Sequence, residues 1–307
     1  MKAVVCERPG HLKVTEVEKP AVPDDGVLVR VRASSVNTAD LFTIAGIAHL
    51  ARGMKPEVVG RDFAGIVEAT GKGVTQFQPG DQVFGAIPGA MAEYLAIPAT
   101  RAIARQPAGA TFEQAAAVPL AGTTALQAIR DHGRVQPGDK VLVNGASGAV
   151  GPLAVQIARA FGADVTAVCS TRNLEMAQSV GATRVVDYTN EDFTRGDGRY
   201  DVLVDIVGTR RWSEYRRVLQ PNARFVSVGA RKPMSLLTIR LGSIGSSQKF
   251  AFFVARMRQA DLVTLRELFE AAKLRPVIDR TYDLEHATDA FAYLKEGHAR
   301  GKVVVTV

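Results

Sequence analysis

Lys140–Arg172 reads KVLVNGASGAVGPLAVQIARAFGADVTAVCSTR, a strand, a glycine-rich turn, a helix and a second strand in succession. Lys140–Asn144 has the length and β-branched content of a buried strand. Gly145, Gly148 and Gly151 follow, with Ala146, Ser147, Ala149 and Val150 between them, at spacings that suit a tight turn and a close backbone approach to phosphate. Val150, Leu153, Ala154, Ile157, Ala158 and Phe161 then recur every three or four residues, which predicts a helix with one stripe packed on a sheet. Pro152 falls in the first turn, where a missing N–H costs little, and Gly162 ends the helix. Asp164–Cys169 reads as the next strand. A helix start of this kind presents unpaired N–H groups to a pyrophosphate, so residues 145–151 are the expected cradle of a dinucleotide.

The end of that second strand indicates which dinucleotide. An enzyme that uses NAD places Asp or Glu there, on the ribose hydroxyls. This chain has Ser170, Thr171 and Arg172, two hydroxyls and a guanidinium fork, which suit a 2′-phosphate that a carboxylate would repel. NADPH is therefore the expected cofactor. Further strands are expected at Arg184–Tyr188, Asp201–Ile206 and Arg224–Val228. Ligands lie at the carboxyl ends of such strands, so Tyr188, Val207-Gly208 and Val228-Gly229-Ala230 join the expected cofactor contacts.

Outward from this core, Met1 to about Ala117 is strand-rich and punctuated by turns. Val27, Val29, Val31 and Ala33 alternate with Leu28, Arg30 and Arg32, and Pro23-Asp24-Asp25-Gly26, Gly71-Lys72-Gly73 and Pro79-Gly80-Asp81 are turn signals. The expected fold is α/β: a doubly wound parallel sheet beside a partly open β-barrel. Helices at Asp261–Lys273 and Glu285–Glu296 and a strand at Lys302–Val307 close the chain and are expected to return to the barrel. A cleft between the two domains is the expected active site.

With 307 residues and 47% hydrophobic content, one core is exceeded and disorder is excluded. No run of about eighteen apolar residues exists and MKAVVCERPGHLKV lacks the order of a signal peptide, so a cytoplasmic protein without an integral membrane segment is expected. Cys6 and Cys169 both fall in expected strands, as reduced buried thiols. The net charge of +7 is mostly interspersed with acids, but Arg231–Ala260 carries six basic residues and no acid, interleaved with Leu236, Leu237, Phe250, Phe252 and Phe253. Two readings stand: KFAFFVA is a plain sheet strand, or the segment guides an anionic cofactor, lines a cleft or touches a membrane.

The succession VNTAD, VGRDFAGIVEATGKGV, QPGDQVFG, AAAVPLAGTTALQAI, NGASGAVG and GHARGKVVVTV resembles the medium-chain dehydrogenase/reductase superfamily over essentially the whole chain. Within it the likeness is to the zinc-free quinone oxidoreductase group. The resemblance implies a GroES-like catalytic domain from residues 1–117 and 259–307, a Rossmann domain at 118–258, and a homodimer. Where zinc enzymes of the superfamily have their first cysteine ligand this chain has Asn37, and where they have Gly-His-Glu it has Gly60-Arg61-Asp62. No cysteine lies between Cys6 and Cys169, so neither a catalytic nor a structural zinc is expected, and His49, His132, His286 and His298 lack ligand spacing.

By the same resemblance Asn37, Asp40 and Thr124 surround nicotinamide and substrate, and Lys302 approaches the cofactor. Asn37 donates to the substrate oxygen in one reading and caps a helix over LFTIAG in the other; Asp40 is expected to accept backbone N–H bonds. Lys302 is alternatively a surface lysine. Many relatives carry tyrosines where this chain has Phe42 and Ile44, so no tyrosine proton donor is expected there; Phe42, Ile44, Ile47 and Leu50 make apolar walls or plain core. The expected activity is hydride transfer from NADPH to a small, hydrophobic, conjugated acceptor, a quinone or an activated C=C bond, without zinc and without nucleic acid. The alternative is an NADPH-binding redox sensor or RNA-binding protein of little activity, which requires a continuous basic face with exposed aromatics.

Overall fold

The computed structural model describes residues 1–45, 57–228 and 239–307. The chain divides into two units: Met1–Thr123 with Met257–Val307, and Thr124–Arg256.

The second unit is built on a parallel sheet whose six strands lie in the spatial order Arg184–Asp187, Asp164–Cys169, Lys140–Asn144, Tyr200–Asp205, Leu219–Ser227 and Lys249–Phe252. The chain leaves the central Lys140–Asn144 strand in one direction for two strands, then crosses to its other side for three. That reversal makes the carboxyl end of Lys140–Asn144 the switch point, where a crevice opens in folds of this type. The Gly151–Ala160 helix starts there, with Leu153, Ala154, Ile157 and Ala158 buried as the periodicity requires; Val155 is buried too, so the covered face is wider than the stripe alone. Leu142, Leu203, Tyr215, Phe225 and Trp212 lie in the core on the flanking side.

Lys249–Phe252 is the last strand of this sheet, in register with Arg224–Ser227, and Phe250 stacks on Phe225. The strand reading of KFAFFVA is therefore correct for this part of the basic segment; residues 231–238 lie outside the described residues. A π-helical turn at Gln127–His132 has no signature in the apolar periodicity; it is braced by Gln127, whose amide exchanges two hydrogen bonds with the backbone of Arg256.

The first unit carries a seven-stranded sheet on the path Ile278–Asp283, Lys302–Thr306, Gly26–Val36, Asp62–Thr70, Gln82–Ala86 and Ile103–Arg105, with Tyr94–Pro98 also paired to Gly26–Val36. This is the GroES-like, partly open barrel, joined by a small sheet of His11–Glu16, Lys2–Arg8 and Glu57–Val58. Gly26–Val36 pairs with three neighbours, which buries both of its faces over most of its length and blurs the expected alternation. Among the described residues no helix is long and apolar enough to cross a membrane. Cys6 and Cys169 are both buried free thiols.

Candidate functional site

Strand register brings the expected dinucleotide residues to one edge of the parallel sheet. Asn144 pairs with Val168 and with Asp205, Cys169 with Asp187, and Asp205 with Ser227. The segments that begin one residue later, at Gly145, Ser170, Tyr188, Ile206 and Val228, therefore leave the sheet side by side. Gly229 and Ala230 lie outside the described residues.

The three glycines of the turn do three different things. Gly145 has φ +91°, and a Cβ on it would sit 2.6 Å from Val207 Cγ2. A Cβ on Gly151 would sit 2.3 Å from the Gly145 carbonyl oxygen, so this residue lets the helix start press against the turn. A Cβ on Gly148 would meet nothing within 4 Å. The protein's own packing does not require glycine there, and the space above its backbone is open. The N–H groups of Gly145 and Ala146 both go to the Val168 carbonyl, and those of Ser147, Gly148 and Ala149 have no protein partner among the described residues. This is a cradle of N–H donors at a helix start, which fits a pyrophosphate.

The wall opposite Gly145 is shaped by Asp205. Its carboxylate accepts from Asn144 Nδ2 at 2.8 Å, from the N–H groups of Val207 and Gly208, and from the Tyr215 hydroxyl at 2.6 Å. Burial pushes Asp205 up from the usual carboxylate range, against the pull of these donors. Val207 and Gly208 are thus held as backbone by a residue that the sequence pattern did not single out.

At the end of the second strand, Ser170 Oγ accepts from Asn173 Nδ2 at 3.0 Å, which leaves its own proton to be donated outward. From sequence, Thr171 shares that part, but its hydroxyl donates to Asp187 Oδ2 at 2.5 Å instead. Asp187 also takes hydrogen bonds from Thr189 and Asn190, and these donors, Thr171 first, hold it below the usual carboxylate range. Thr171 thus fixes the loop rather than offering a proton. Arg172 is exposed, and Tyr188 is 55% exposed.

The barrel unit carries a second constellation, buried and charged. Ser35 pairs with Asp62 across one strand edge, and Val36 pairs with Val303 across the other, so Lys302 and Asn37 arrive beside Asp62 although 240 and 25 residues separate them from it in sequence. Lys302 Nζ donates to Asn37 Oδ1 at 2.7 Å, Asp62 Oδ2 at 3.1 Å and the Val36 carbonyl at 3.4 Å. Asn37 Nδ2 donates to Asp62 Oδ2 at 3.0 Å and to the Ser35 carbonyl at 3.3 Å. Ser35 Oγ and the Leu120 N–H complete the shell of Asp62.

Lys302 is 1% exposed, which overturns its reading as a surface lysine: an ammonium this deep requires the carboxylate beside it. Its three protons are all placed within the cluster. Asn37 is the N-cap residue of the Thr38–Ile44 helix, and its N–H donates to Asp40 Oδ2 at 2.9 Å, the part expected of Asp40. Burial, and then the nearby Asp62, push Asp40 up to about 7. Arg61 Nε stands 3.6 Å from Asp40 Oδ1. Thr124 is half-buried on the Pro119–Leu126 helix. Phe42 is 58% exposed, Ile44 packs in the barrel core, and Ile47 and Leu50 lie outside the described residues.

Comparison with known proteins identifies the family. Residues 23–108 match the alcohol dehydrogenase GroES-like domain and residues 180–305 the zinc-binding dehydrogenase family model. The mitochondrial NAD(P)H oxidoreductase RTN4IP1 of Mus musculus is 33% identical, covering 92% of this chain and 81% of the relative. The 2-methylene-furan-3-one reductase of Solanum lycopersicum is 32% identical, covering 99% and 79%. The solved structure of the quinone oxidoreductase from Coxiella burnetii superposes with a TM-score of 0.90 at 30% identity, covering 100% and 99%.

The chain belongs to the medium-chain dehydrogenase/reductase superfamily, in its quinone-oxidoreductase-like group. It is an oxidoreductase of the NAD(P)H-dependent type.

The zinc in one family description does not fit these residues. The positions in question hold an amide, a guanidinium and a carboxylate, with the Lys302 ammonium already between Asn37 and Asp62 and repelling a further cation. Among the described residues no three His, Cys, Asp or Glu form a group able to hold a metal.

Proposed function

We propose that the chain is an NADPH-dependent reductase of quinones or of C=C bonds conjugated to a carbonyl, working without zinc. The observation that carries this reading is the turn at Gly148, open to a ligand and lined by N–H groups without a partner among the described residues, next to a strand end that carries the Ser170 hydroxyl and Arg172, with Asp187 of the neighbouring strand held in a shell of donors. The turn holds the pyrophosphate; Ser170 and Arg172 hold the 2′-phosphate; Tyr188 flanks the adenosine; Val207, Gly208 and Val228 line the path toward the nicotinamide. When bound, the reduced dinucleotide supplies a hydride.

Lacking a metal to polarise an isolated carbonyl, the protein is suited to acceptors that spread charge by conjugation, so that hydrogen-bond donors suffice. The names of the Solanum and Coxiella relatives, an enone reductase and a quinone oxidoreductase, support the same two substrate classes. A homodimer belongs to this reading, supported by the exposed edge strand Lys249–Phe252 with its 48% exposed Phe252.

The test is NADPH oxidation across naphthoquinones, alkenals and enones, with NADH as control, metal analysis alongside and sedimentation for the assembly. Turnover that survives chelation and prefers NADPH is expected. Turnover lost on chelation together with stoichiometric zinc would refute it.

A further inference from the structure

In the barrel cluster nearly every donor is already spent. The Lys302 ammonium uses its three protons on Asp62, Asn37 and Val36; the Asn37 amide uses both of its own on Asp62 and Ser35; Ser35 Oγ donates to Asp62. Asn37 therefore has no proton left for a substrate oxygen, which is one of the two parts expected of it from sequence; the other, the helix cap, it does take. Arg61 differs from its neighbours. Its Nε is buried without a hydrogen-bond partner, and no described residue accepts from the rest of its guanidinium. The side chain is 37% exposed, so the outer nitrogens reach the surface of the unit. Among the described residues the Asp40 carboxylate, at 3.6 Å, is the one group that steadies it. Gly60, at φ +85° with Met91 where a Cβ would be, sets the backbone from which Arg61 departs.

We propose that Arg61 is the group that binds the substrate oxygen on which negative charge collects, and that Asp40 is its positioning residue. The proposal rests on the reductase reading above. In an enone the β-carbon gains a C–H bond from the hydride, the C=C pair shifts to the α-carbon–carbonyl bond, and the carbonyl pair moves to oxygen. Arg61 stabilises that enolate oxygen through charge-assisted N–H bonds. One proton from water then goes to the α-carbon, returning the carbonyl, so that enone, reduced dinucleotide and one proton give ketone and oxidised dinucleotide. In a quinone the same two electrons and two hydrogens give the hydroquinone.

Asp40 is faced by the Asn37 N–H, Asp62, Arg61 and Lys302. Once ionised it holds Arg61 in place, so kcat should rise with pH through about 7, and this limb should be missing in Asp40→Asn.

The experiment pairs turnover with a ligand that needs none. Arg61→Ala should lower kcat on the order of a hundredfold with NADPH affinity essentially unchanged, and added guanidinium should restore part of the rate. With Arg61→Lys as a second variant, para-nitrophenol serves as an oxyanion probe: the native protein should bind it as the phenolate below its free pKa, and both variants should bind it neutral or not at all. Unchanged kcat in folded Arg61→Ala, or equal phenolate binding by it, would overturn the proposal. If the native protein reduces no quinone or enone yet still binds the phenolate through Arg61, the reductase reading falls and the oxyanion site stands.

Discussion

The glycine turn of the parallel-sheet unit and the buried charges of the barrel unit are both built around groups that an ordinary core excludes, yet they are assembled in opposite ways. In the turn, the parts that matter are neighbours in the chain, and their polar groups are left open: Gly148 has space above it and Ser147 to Ala149 keep their N–H groups. In the barrel the parts come from residues 35, 37, 62 and 302, and almost every polar atom is consumed within the protein. A site poised for a large anion must keep donors unspent. A site that carries an ammonium and two carboxylates in its interior must satisfy them first, and what is left over, Arg61, is what remains for chemistry.

The largest effect that sharpens this contrast should come from Lys302→Met. It leaves Asp62 uncompensated in the interior and should cost about 3–5 kcal/mol, read from urea denaturation. A loss under about 1 kcal/mol would mean that the cluster is not held by its charges. Next comes Gly151→Ala, whose new methyl would press on the Gly145 carbonyl from 2.3 Å and should destabilise by about 1–3 kcal/mol.

Gly148→Ala, three residues earlier, should leave the melting temperature unchanged. It should instead weaken dinucleotide binding by about tenfold, roughly 1.4 kcal/mol, in a fluorescence titration. If both alanines act on stability alone, the turn is merely packing.

Asp40→Asn should have the most distinctive effect. The folded protein keeps a proton on Asp40 up to about 7 that the unfolded chain releases near 3.8, so the native protein loses stability as pH rises across that window. The variant escapes this loss while Oδ1 still accepts the Asn37 N–H. Its melting temperature relative to the native chain should climb from acid pH to about 7 and then level off. A constant difference would place the strain elsewhere.

How much of this is legible in the sequence follows from the same contrast. Glycine spacing, helix period and strand composition are local, and Lys140–Arg172 states them within one stretch. Its finer workings are less legible: that Thr171 turns to Asp187 while Ser170 keeps its proton depends on the Arg184–Asp187 strand lying beside Asp164–Cys169. The barrel cluster is invisible to spacing, because Lys302 meets Asp62 only through two antiparallel registers on the Gly26–Val36 strand. Lys302 at the head of an apolar strand reads as a cofactor contact or as a surface residue, and neither reading contains the ion pair with Asp62. The one signal that was present, Arg61-Asp62 at the start of an otherwise apolar run, reads at first only as the lack of a zinc ligand, and its positive content is an ion-paired interior.

The preference for NADPH depends on the 2′-phosphate being held at the end of the Asp164–Cys169 strand. The direct measurement is the ratio of kcat/KM for NADPH to that for NADH in the native protein and in Arg172→Ala. The ratio should favour NADPH and fall by about ten- to a hundredfold in the variant, equivalent to roughly 1.5–3 kcal/mol for a charge-assisted contact, with NADH kinetics unchanged. A ratio that does not move, or a native preference for NADH, would contradict it.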